Sequence, residues 1–463
     1  MDFFKLRENQ TTVRTEVVAG LTTFFTMAYI IFVNPSILQQ AGMDFNGVLI
    51  ATCIAAAVGT LMMALVANYP FAQAPGMGLN AFFTFTVVLQ NGFTWQQGLA
   101  IVFISGVLFI ILTVTGARSA IVRALPAAVR YAIPAGIGLF ITLIGLNNAG
   151  IVRMNQGPII DIIVGTETLE ARSLIEQIQQ APPQILEMGN LSSPSVLVAF
   201  IGLIIIGVLY ALRVPGGILF SIILTTVVGL LFGITQLPES MSMAEVNLSK
   251  TWFQLDFAGL FNTETRSLGQ VIATLLVVII SFSMVDLFDT IGTLIGTADK
   301  AGFLDKQGNL PRMKRSLLAD ALATTFGALL GTSTVTTYIE SNAGIVAGGR
   351  TGLTALVVAI LFLLSILLAP LAGMVPAAAT APALILVGML MMQSIQKVNF
   401  GNFDEALPAF LTMVLMPFTY SIANGIAAGI IFYVLIKVVK GKFKDIPFAL
   451  YLLAGLFVLK FAL

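Results

Sequence analysis

Two acidic residues, Asp289 and Glu340, lie inside stretches of the sequence that are otherwise apolar enough to cross a membrane. A carboxylate at the centre of a bilayer costs about 2.5–3.5 kcal/mol even on insertion scales, so acids retained there mark functional sites by default. Glu340 follows a run of threonines and precedes Asn342 and Gly344. Such interruptions of a spanning helix are typical of transporter binding sites. The two acids therefore indicate a membrane transporter.

A second acid lies close to Asp289. Asp286 and Asp289 are three residues apart and share one face of a predicted helix. Two carboxylates that close cannot both stay ionised cheaply in a low dielectric, so the pair is a candidate proton-binding site. Asp320 is a third candidate, and it is equally well explained as a partner that orients the site through Thr or Ser hydroxyls. For Glu340 the alternative is a simple helix cap, a role that does not require a position at mid-membrane.

Another interruption occurs in the first half of the chain, where Pro70 and Pro75 exclude a regular helix. Gly78 allows a ligand to approach the backbone closely. Asn80 is placed to hydrogen-bond a polar ligand near the start of the short helix that follows, where N–H donors are unpaired. The alternative is a Pro/Gly kink that Asn80 caps.

Further residues next to these interruptions complete the predicted site. Thr336 and Thr337 can satisfy backbone groups that the second interruption leaves unpaired, and Phe71 and Phe288 are aromatic residues close enough to contact a ligand. The predicted substrate-binding residues are Asp289, Glu340, Asn80, Phe71, Gly78, Thr337 and Phe288. The predicted proton-coupling residues are Asp286, Asp289, Asp320 and Glu340.

The composition is that of a membrane protein. Of the 463 residues 57% are hydrophobic and 10% are charged, against roughly 25% charged residues in soluble domains. The formal charge of +1 argues against a nucleic-acid-binding surface. Histidine is absent and the single cysteine, Cys53, lies in an apolar run, which argues against His-ligated metals, catalytic triads and internal disulfides. We therefore expect neither an enzyme nor a protein that carries a cofactor or metal.

Apolar runs of spanning length predict an all-α polytopic protein with fourteen membrane segments. Segment 3 (69–90) and segment 10 (332–347) each have the pattern of a short extended strand followed by a half-helix. The other segments are predicted at 16–38, 47–67, 97–115, 130–150, 194–212, 215–236, 268–296, 316–331, 352–375, 379–396, 404–420 and 421–440. Residues 446–463 are expected to form a short terminal helix at or entering the membrane.

Segments 3 and 10 are seven segments apart. Because seven is an odd number of membrane crossings, the two halves of the chain have opposite orientations. This pattern predicts an inverted repeat of seven plus seven segments with the site where the two interrupted segments meet. Lys and Arg concentrate in one set of alternate loops, which predicts a cytoplasmic N-terminus.

Four runs of the sequence resemble the xanthine/uracil/ascorbate permease superfamily, and in particular its AzgA-like branch of hypoxanthine/guanine/adenine permeases. The runs are EVVAGLTTFFTMAYIIFVNP at 16–35, NYPFAQAPGMGLNAFF at 68–83, VDLFDTIGT at 285–293 and TTYIESNAGIVAGGRTG at 336–352. By this resemblance Asp289 matches the acid that binds the base in the uracil-type relatives, and Glu340 matches their second acid. Asn80 matches the third-segment asparagine of the branch, while Thr293 replaces the histidine of the uracil-type motif.

The resemblance implies a core domain of segments 1–4 and 8–11 and a gate domain of segments 5–7 and 12–14. On this division residues 1–129 and 268–378 form the core, and residues 130–267 and 379–463 form the gate. The implied function is uptake of a purine nucleobase in symport with protons across the cytoplasmic membrane, by alternating access. Hypoxanthine and guanine are favoured over adenine, because one carboxylate can accept hydrogen bonds from their N1–H.

The main alternative to this function is a uracil or xanthine permease of the same fold. A related anion transporter would need a positive site, and paired acids would repel its substrate. The expected partners are a purine nucleobase, protons and the lipid bilayer; nucleic acid is not expected, and a homodimer is left open.

Overall fold

The structure is a computed structural model, and it describes residues 3–116, 125–154, 186–237, 248–261, 268–306 and 310–462. Within these ranges nine helices are long and apolar enough to cross a membrane. Three shorter apolar helices, Met77–Gln90, Gly217–Leu231 and Phe448–Leu459, also occur in these ranges. The chain is therefore a multi-pass membrane protein.

The helices are numbered in chain order. They are α1 Val13–Met27, α2 Ile30–Leu38, α3 Phe45–Met62, α4 Met77–Ala81, α5 Trp95–Thr115, α6 Ala127–Asn148, α7 Pro194–Ala211, α8 Gly217–Leu231, α9 Leu268–Ala301, α10 Met313–Leu330, α11 Ser341–Val346, α12 Gly352–Ser365, α13 Ala369–Ala372, α14 Ala377–Met392, α15 Phe403–Phe418, α16 Ile422–Val439 and α17 Phe448–Ala462. The strands are β1 Gln73–Pro75, β2 Val152–Met154, β3 Leu186–Met188 and β4 Val335–Thr337. Helix α3 continues as a π-helix over Met63–Ala67, and α4 continues as a π-helix over Phe82–Gln90.

The fold predicted from the sequence is confirmed. Each predicted segment coincides with a helix, and segments 3 and 10 consist of β1 followed by α4 and of β4 followed by α11. Segment 1 is divided between α1 and α2, which the hydropathy pattern did not reveal. The expected terminal helix is α17.

The two interrupted segments satisfy each other's backbone. Strands β1 and β4 pair antiparallel. At one end of the pair the Gly76 N–H donates to the Thr334 carbonyl, and at the other end the Tyr338 N–H donates to the Ala72 carbonyl, both at 2.9 Å. Because no water is available in the hydrocarbon core, non-helical backbone survives there only when protein groups satisfy it.

Threonines from neighbouring helices complete this arrangement in the same way in both halves. The Thr60 hydroxyl of α3 donates to the Gln73 carbonyl at 2.9 Å. The Thr324 hydroxyl of α10 donates to the Val335 carbonyl at 3.0 Å. Segments 2 and 9 therefore support segments 3 and 10 through matching bonds, as an inverted repeat requires.

The register of the strands identifies equivalent positions in the two halves. Ala74 lies opposite Thr336 at the centre of the pair. Residues equally far along the chain from these two are related by the pseudo-two-fold axis, so Gly78 of α4 is the counterpart of Glu340. The first half therefore has a glycine where the second half has an acid.

Helix contacts separate the protein into two groups. Helices α1, α3, α5, α10 and α12 pack on one another, and α6, α7, α8, α14, α15 and α16 form the second group. In the second group α6 crosses α14 so closely that a Cβ on Gly138 would lie 2.4 Å from the Gly388 carbonyl oxygen. These groups correspond to the core and the gate of the predicted fold.

Glu16 joins the two ends of the core. It lies in the first turn of α1, but its fully buried carboxylate caps α12. Oε1 accepts from the Arg350 N–H at 2.9 Å. Oε2 accepts from the N–H groups of Thr351 and Thr354 at 3.2 Å and from the Thr354 hydroxyl at 2.6 Å. Segment 1 is thereby fixed to the start of segment 11.

We expect Glu16→Ala to destabilise the protein far more than Glu405→Ala. Each hydrogen bond to a charged group contributes about 1.5–3 kcal/mol, and the donors around Glu16 would be left buried without an acceptor. Glu405 also lies in the first turn of a helix, but it is partly exposed, and among the described residues its side chain accepts a hydrogen bond from the Asn402 side chain alone. Thermal unfolding of the detergent-solubilised protein measures the difference, and equal losses of stability would contradict the capping role.

Candidate functional site

Asp289 lies on α9 and faces the strand β4. Its side chain is half-buried, and the Thr336 hydroxyl donates to its carboxylate. Asp289 is close enough to both Glu340 and Asp320 to interact with them electrostatically. The acid that the sequence singled out on this helix therefore lies where the two interrupted segments meet.

Glu340 immediately precedes the first residue of α11. Its side chain is half-buried and makes no capping hydrogen bond to α11. Instead, the Tyr29 hydroxyl donates to Glu340 Oε1 at 2.7 Å. The carboxylate is thus held by a residue from segment 1, and the simple helix cap considered above does not describe it.

A small cavity lies between the two groups of helices, beside Asp289. It has room for about one water molecule. Helices α4 and α9 contribute Gly78, Val285, Phe288 and Asp289 to its wall, and the gate helices α6 and α14 contribute Ile133, Pro134, Ile137 and Met391. The predicted site residues Gly78, Phe288 and Asp289 are therefore brought together here.

Gly78 permits a close approach, as the sequence suggested, but to a protein side chain. A Cβ at this position would lie 2.7 Å from Cγ2 of Ile137. A β-branched side chain has little freedom to move aside. The gate helix α6 can therefore reach the core at this point only because residue 78 is glycine.

The other two acids of the predicted site are fully buried. Asp286 lies one turn before Asp289 on α9, and Asp320 lies on the neighbouring helix α10. Asp320 accepts a hydrogen bond from the Thr290 hydroxyl at 2.9 Å. Since Thr290 follows Asp289 directly, this bond brings Asp320 of α10 close to Asp289 of α9.

Asn80 is fully buried behind the cavity wall. Its Oδ1 is in contact with the Ser333 hydroxyl, which joins α4 to the residues that lead into β4. Its Nδ2 has no hydrogen-bond partner among the described residues. Asn80 therefore links the two interrupted segments and does not line the cavity.

The structure does not bring Phe71 and Thr337 to the acids. The Phe71 ring stacks on Tyr69, with 5.0 Å between ring centroids, and packs against Phe303. Thr337 accepts from the Gln73 side chain at 3.2 Å. Neighbouring residues of a strand face opposite sides, so Thr336 contacts Asp289 and Thr337 contacts β1.

Sequence reasoning missed two tyrosines near the acids. Tyr29 lies in an apolar run, where nothing distinguishes it from a packing residue. Tyr338 is buried, and its hydroxyl donates to the Pro75 carbonyl at 2.5 Å. The strand periodicity could have identified Thr336, but no local pattern indicates the contact between Tyr29 and Glu340, because those residues are distant in sequence.

Comparison with known proteins identifies the family. A model described as "Permease family" (Xan_ur_permease) matches residues 14–175 and 168–428. The chain belongs to this family. Adenine permease AdeP of Escherichia coli K12 is 44% identical over 457 residues, covering 99% of this chain and 94% of AdeP. Guanine/hypoxanthine permease PbuO of Bacillus subtilis is 42% identical over 469 residues, covering 98% of this chain and 100% of PbuO.

These relatives confirm the AzgA-like branch that the motifs of this permease resemble. Among solved structures, the transmembrane domain of the cyanobacterial bicarbonate transporter BicA matches the permease with a TM-score of 0.62. The match covers 90% of this chain and 97% of that domain at 16% identity. At this identity the likeness concerns the fold alone.

Thr336→Val and Thr337→Val are nearly isosteric changes at neighbouring positions of the permease. Because only Thr336 contacts Asp289, we expect Thr336→Val to raise the apparent KM for transport roughly tenfold, the effect of losing about 1.4 kcal/mol from a hydrogen bond to a charged group. Thr337→Val should leave the KM nearly unchanged. Initial rates of transport measure both, and the opposite ranking would show that Asp289 is not oriented in this way.

Proposed function

We propose that this permease takes up purine nucleobases in symport with protons across the cytoplasmic membrane, by alternating access. The observation that carries the proposal is the pair of half-buried carboxylates, Asp289 and Glu340, at the junction of the two interrupted segments. Relatives named for adenine and for guanine/hypoxanthine support the substrate class. The Lys and Arg residues of alternate loops support a cytoplasmic N-terminus.

The chemistry of the bases suits such a site. A carboxylate can accept the N1–H and the exocyclic amine of guanine, or the N1–H of hypoxanthine. Backbone N–H groups of the interrupted segments can donate to the ring oxygen and to N7. Adenine presents N1 as an acceptor, so it requires a protonated carboxyl or another orientation. We therefore place hypoxanthine and guanine first and adenine second.

Proton coupling follows from the cost of buried charge. Asp289 interacts with the charges of both Asp320 and Glu340, and protonation of one acid relieves the repulsion. We assign Asp289 and Glu340 to the substrate, and Asp289, Asp286 and Asp320 to the proton. With the charge neutralised, the loaded core (1–129 and 268–378) can move against the gate (130–267 and 379–463).

Uptake of radiolabelled hypoxanthine by cells that lack their own purine permeases tests the proposed function. We expect uptake that a protonophore abolishes and that excess unlabelled guanine, but not uracil, inhibits. Adenine and xanthine as competitors define the range of substrates. A variant with both Asp289→Asn and Glu340→Gln is the control for site-dependent transport.

Two results would contradict this function. Inhibition by uracil or xanthine with no response to guanine would favour the alternative permease of the same fold. Uptake that persists in the presence of the protonophore but requires sodium would show that sodium, and not the proton, is the coupling ion.

Asp320→Asn should abolish the coupling of transport to the proton gradient without abolishing transport itself. Asp320 is buried and bonded to Thr290, so it is placed to respond to the proton without contacting the base. We expect the variant to lose accumulation against a gradient while it retains counterflow, the exchange of labelled for unlabelled hypoxanthine. Asp299→Asn, at an exposed position on α9, is the control and should keep both. Protonophore-sensitive accumulation by Asp320→Asn would remove Asp320 from the proton pathway.

A further inference from the structure

Tyr29 lies at the point where segment 1 changes helix. Helix α1 ends at Met27 and α2 begins at Ile30, and a tight turn with a 3.2 Å bond from the Ile31 N–H to the Ala28 carbonyl joins them. The Tyr29 side chain is 1% exposed. Its hydroxyl reaches across to Glu340 Oε1 at 2.7 Å.

The backbone fixes the separation between these two residues. A Cβ on Gly344 of α11 would lie 2.6 Å from the Ala19 carbonyl oxygen and 2.1 Å from the Thr23 hydroxyl. Helices α1 and α11 thus pack with their backbones almost in contact. Tyr29 on one side and Glu340 on the other are held at hydrogen-bond distance by this packing.

We propose that Tyr29 is a positioning residue for Glu340, and that its hydroxyl fixes the orientation of the carboxylate at the site. The proposal adds segment 1 to a site whose two proposed substrate acids, Asp289 and Glu340, lie on segments 8 and 10. It rests on the proposed function only in so far as Glu340 contacts the substrate.

Among the titratable side chains around Glu340, Tyr29 is the one shown to donate a hydrogen bond to its carboxylate. The titratable side chains for which the structure gives an interaction with Glu340 are Tyr29 from segment 1, Tyr338 from its own segment and Asp289 from α9. Asp289 is itself acidic, and the Tyr338 hydroxyl is engaged by the Pro75 carbonyl. A hydrogen bond to an ionised acceptor is about twice as strong as one between neutral groups.

Tyr338 provides a matched control. It is buried like Tyr29 and lies two residues before Glu340, but its hydroxyl donates to a backbone carbonyl. Tyr29→Phe and Tyr338→Phe therefore each remove one buried hydroxyl, and only Tyr29→Phe removes a donor from the carboxylate. A general structural defect would affect both variants alike.

Infrared titration of the purified full-length permease tests the proposal directly. The carboxylic C=O band that Glu340→Gln abolishes reports protonation of Glu340. In Tyr29→Phe the ionised form loses one of its donors, so the midpoint of this band should move to higher pH by about one unit, a tenfold change in the protonation equilibrium. Tyr338→Phe should leave the midpoint in place.

Glu340→Asp shortens the acid and withdraws it from Tyr29, so it breaks the same bond without changing the tyrosine. Its own carboxylic band should appear at higher pH than that of Glu340. An unshifted midpoint in Tyr29→Phe, or an equal shift in Tyr338→Phe, would overturn the positioning role.

The titration needs no substrate, so it remains informative if wild-type cells fail to take up hypoxanthine and the proposed function is wrong. Where uptake is observed, the pH profile of Tyr29→Phe should move in the same direction as the band.

Discussion

The antiparallel pairing of β1 with β4 is the contact on which the rest of the site depends. In the hydrocarbon core a segment cannot leave its helix unless other protein groups take up the N–H and C=O groups that it exposes. The reciprocal bonds of Gly76 and Tyr338, together with the hydroxyls of Thr60 and Thr324, supply those groups. Two half-helices can therefore start near mid-membrane, and Glu340 comes to lie at the start of one of them.

The two halves of the inverted repeat share their backbone arrangement, but the side chains at equivalent positions of the site differ. The position of Glu340 in one half is occupied by Gly78 in the other, because Ile137 of the gate packs against Gly78. A side chain there would hold the gate away from the core, and an acid there would add repulsion to a site that already contains Asp289 and Glu340. Equivalent backbone positions thus hold a charged side chain, Glu340, in one half and a closely packed glycine, Gly78, in the other.

The sequence revealed the features of the site that carry an energetic cost. Asp289 and Glu340 were recognisable because charge in an apolar segment is expensive, and the interrupted segments because proline and glycine exclude a helix. Contacts between distant segments could not be recognised from the sequence. Tyr29 lies in an apolar run and was not distinguished from a packing residue. Phe71 was predicted to contact a ligand, but its ring packs against Tyr69 and Phe303. The alternation of side chains along a strand could have predicted that Thr336, and not Thr337, faces Asp289.

The cavity beside Asp289 holds about one water molecule, whereas a purine is a bicyclic ring system of many atoms. Any such substrate must therefore separate the gate from the core before it reaches the acids. The close crossing at Gly138 and Gly388 leaves α6 and α14 little freedom to move apart, so these two gate helices should shift as a unit. We expect that movement to open the site at the contact between Ile137 and Gly78, since this contact joins gate helix α6 to the start of the half-helix α4.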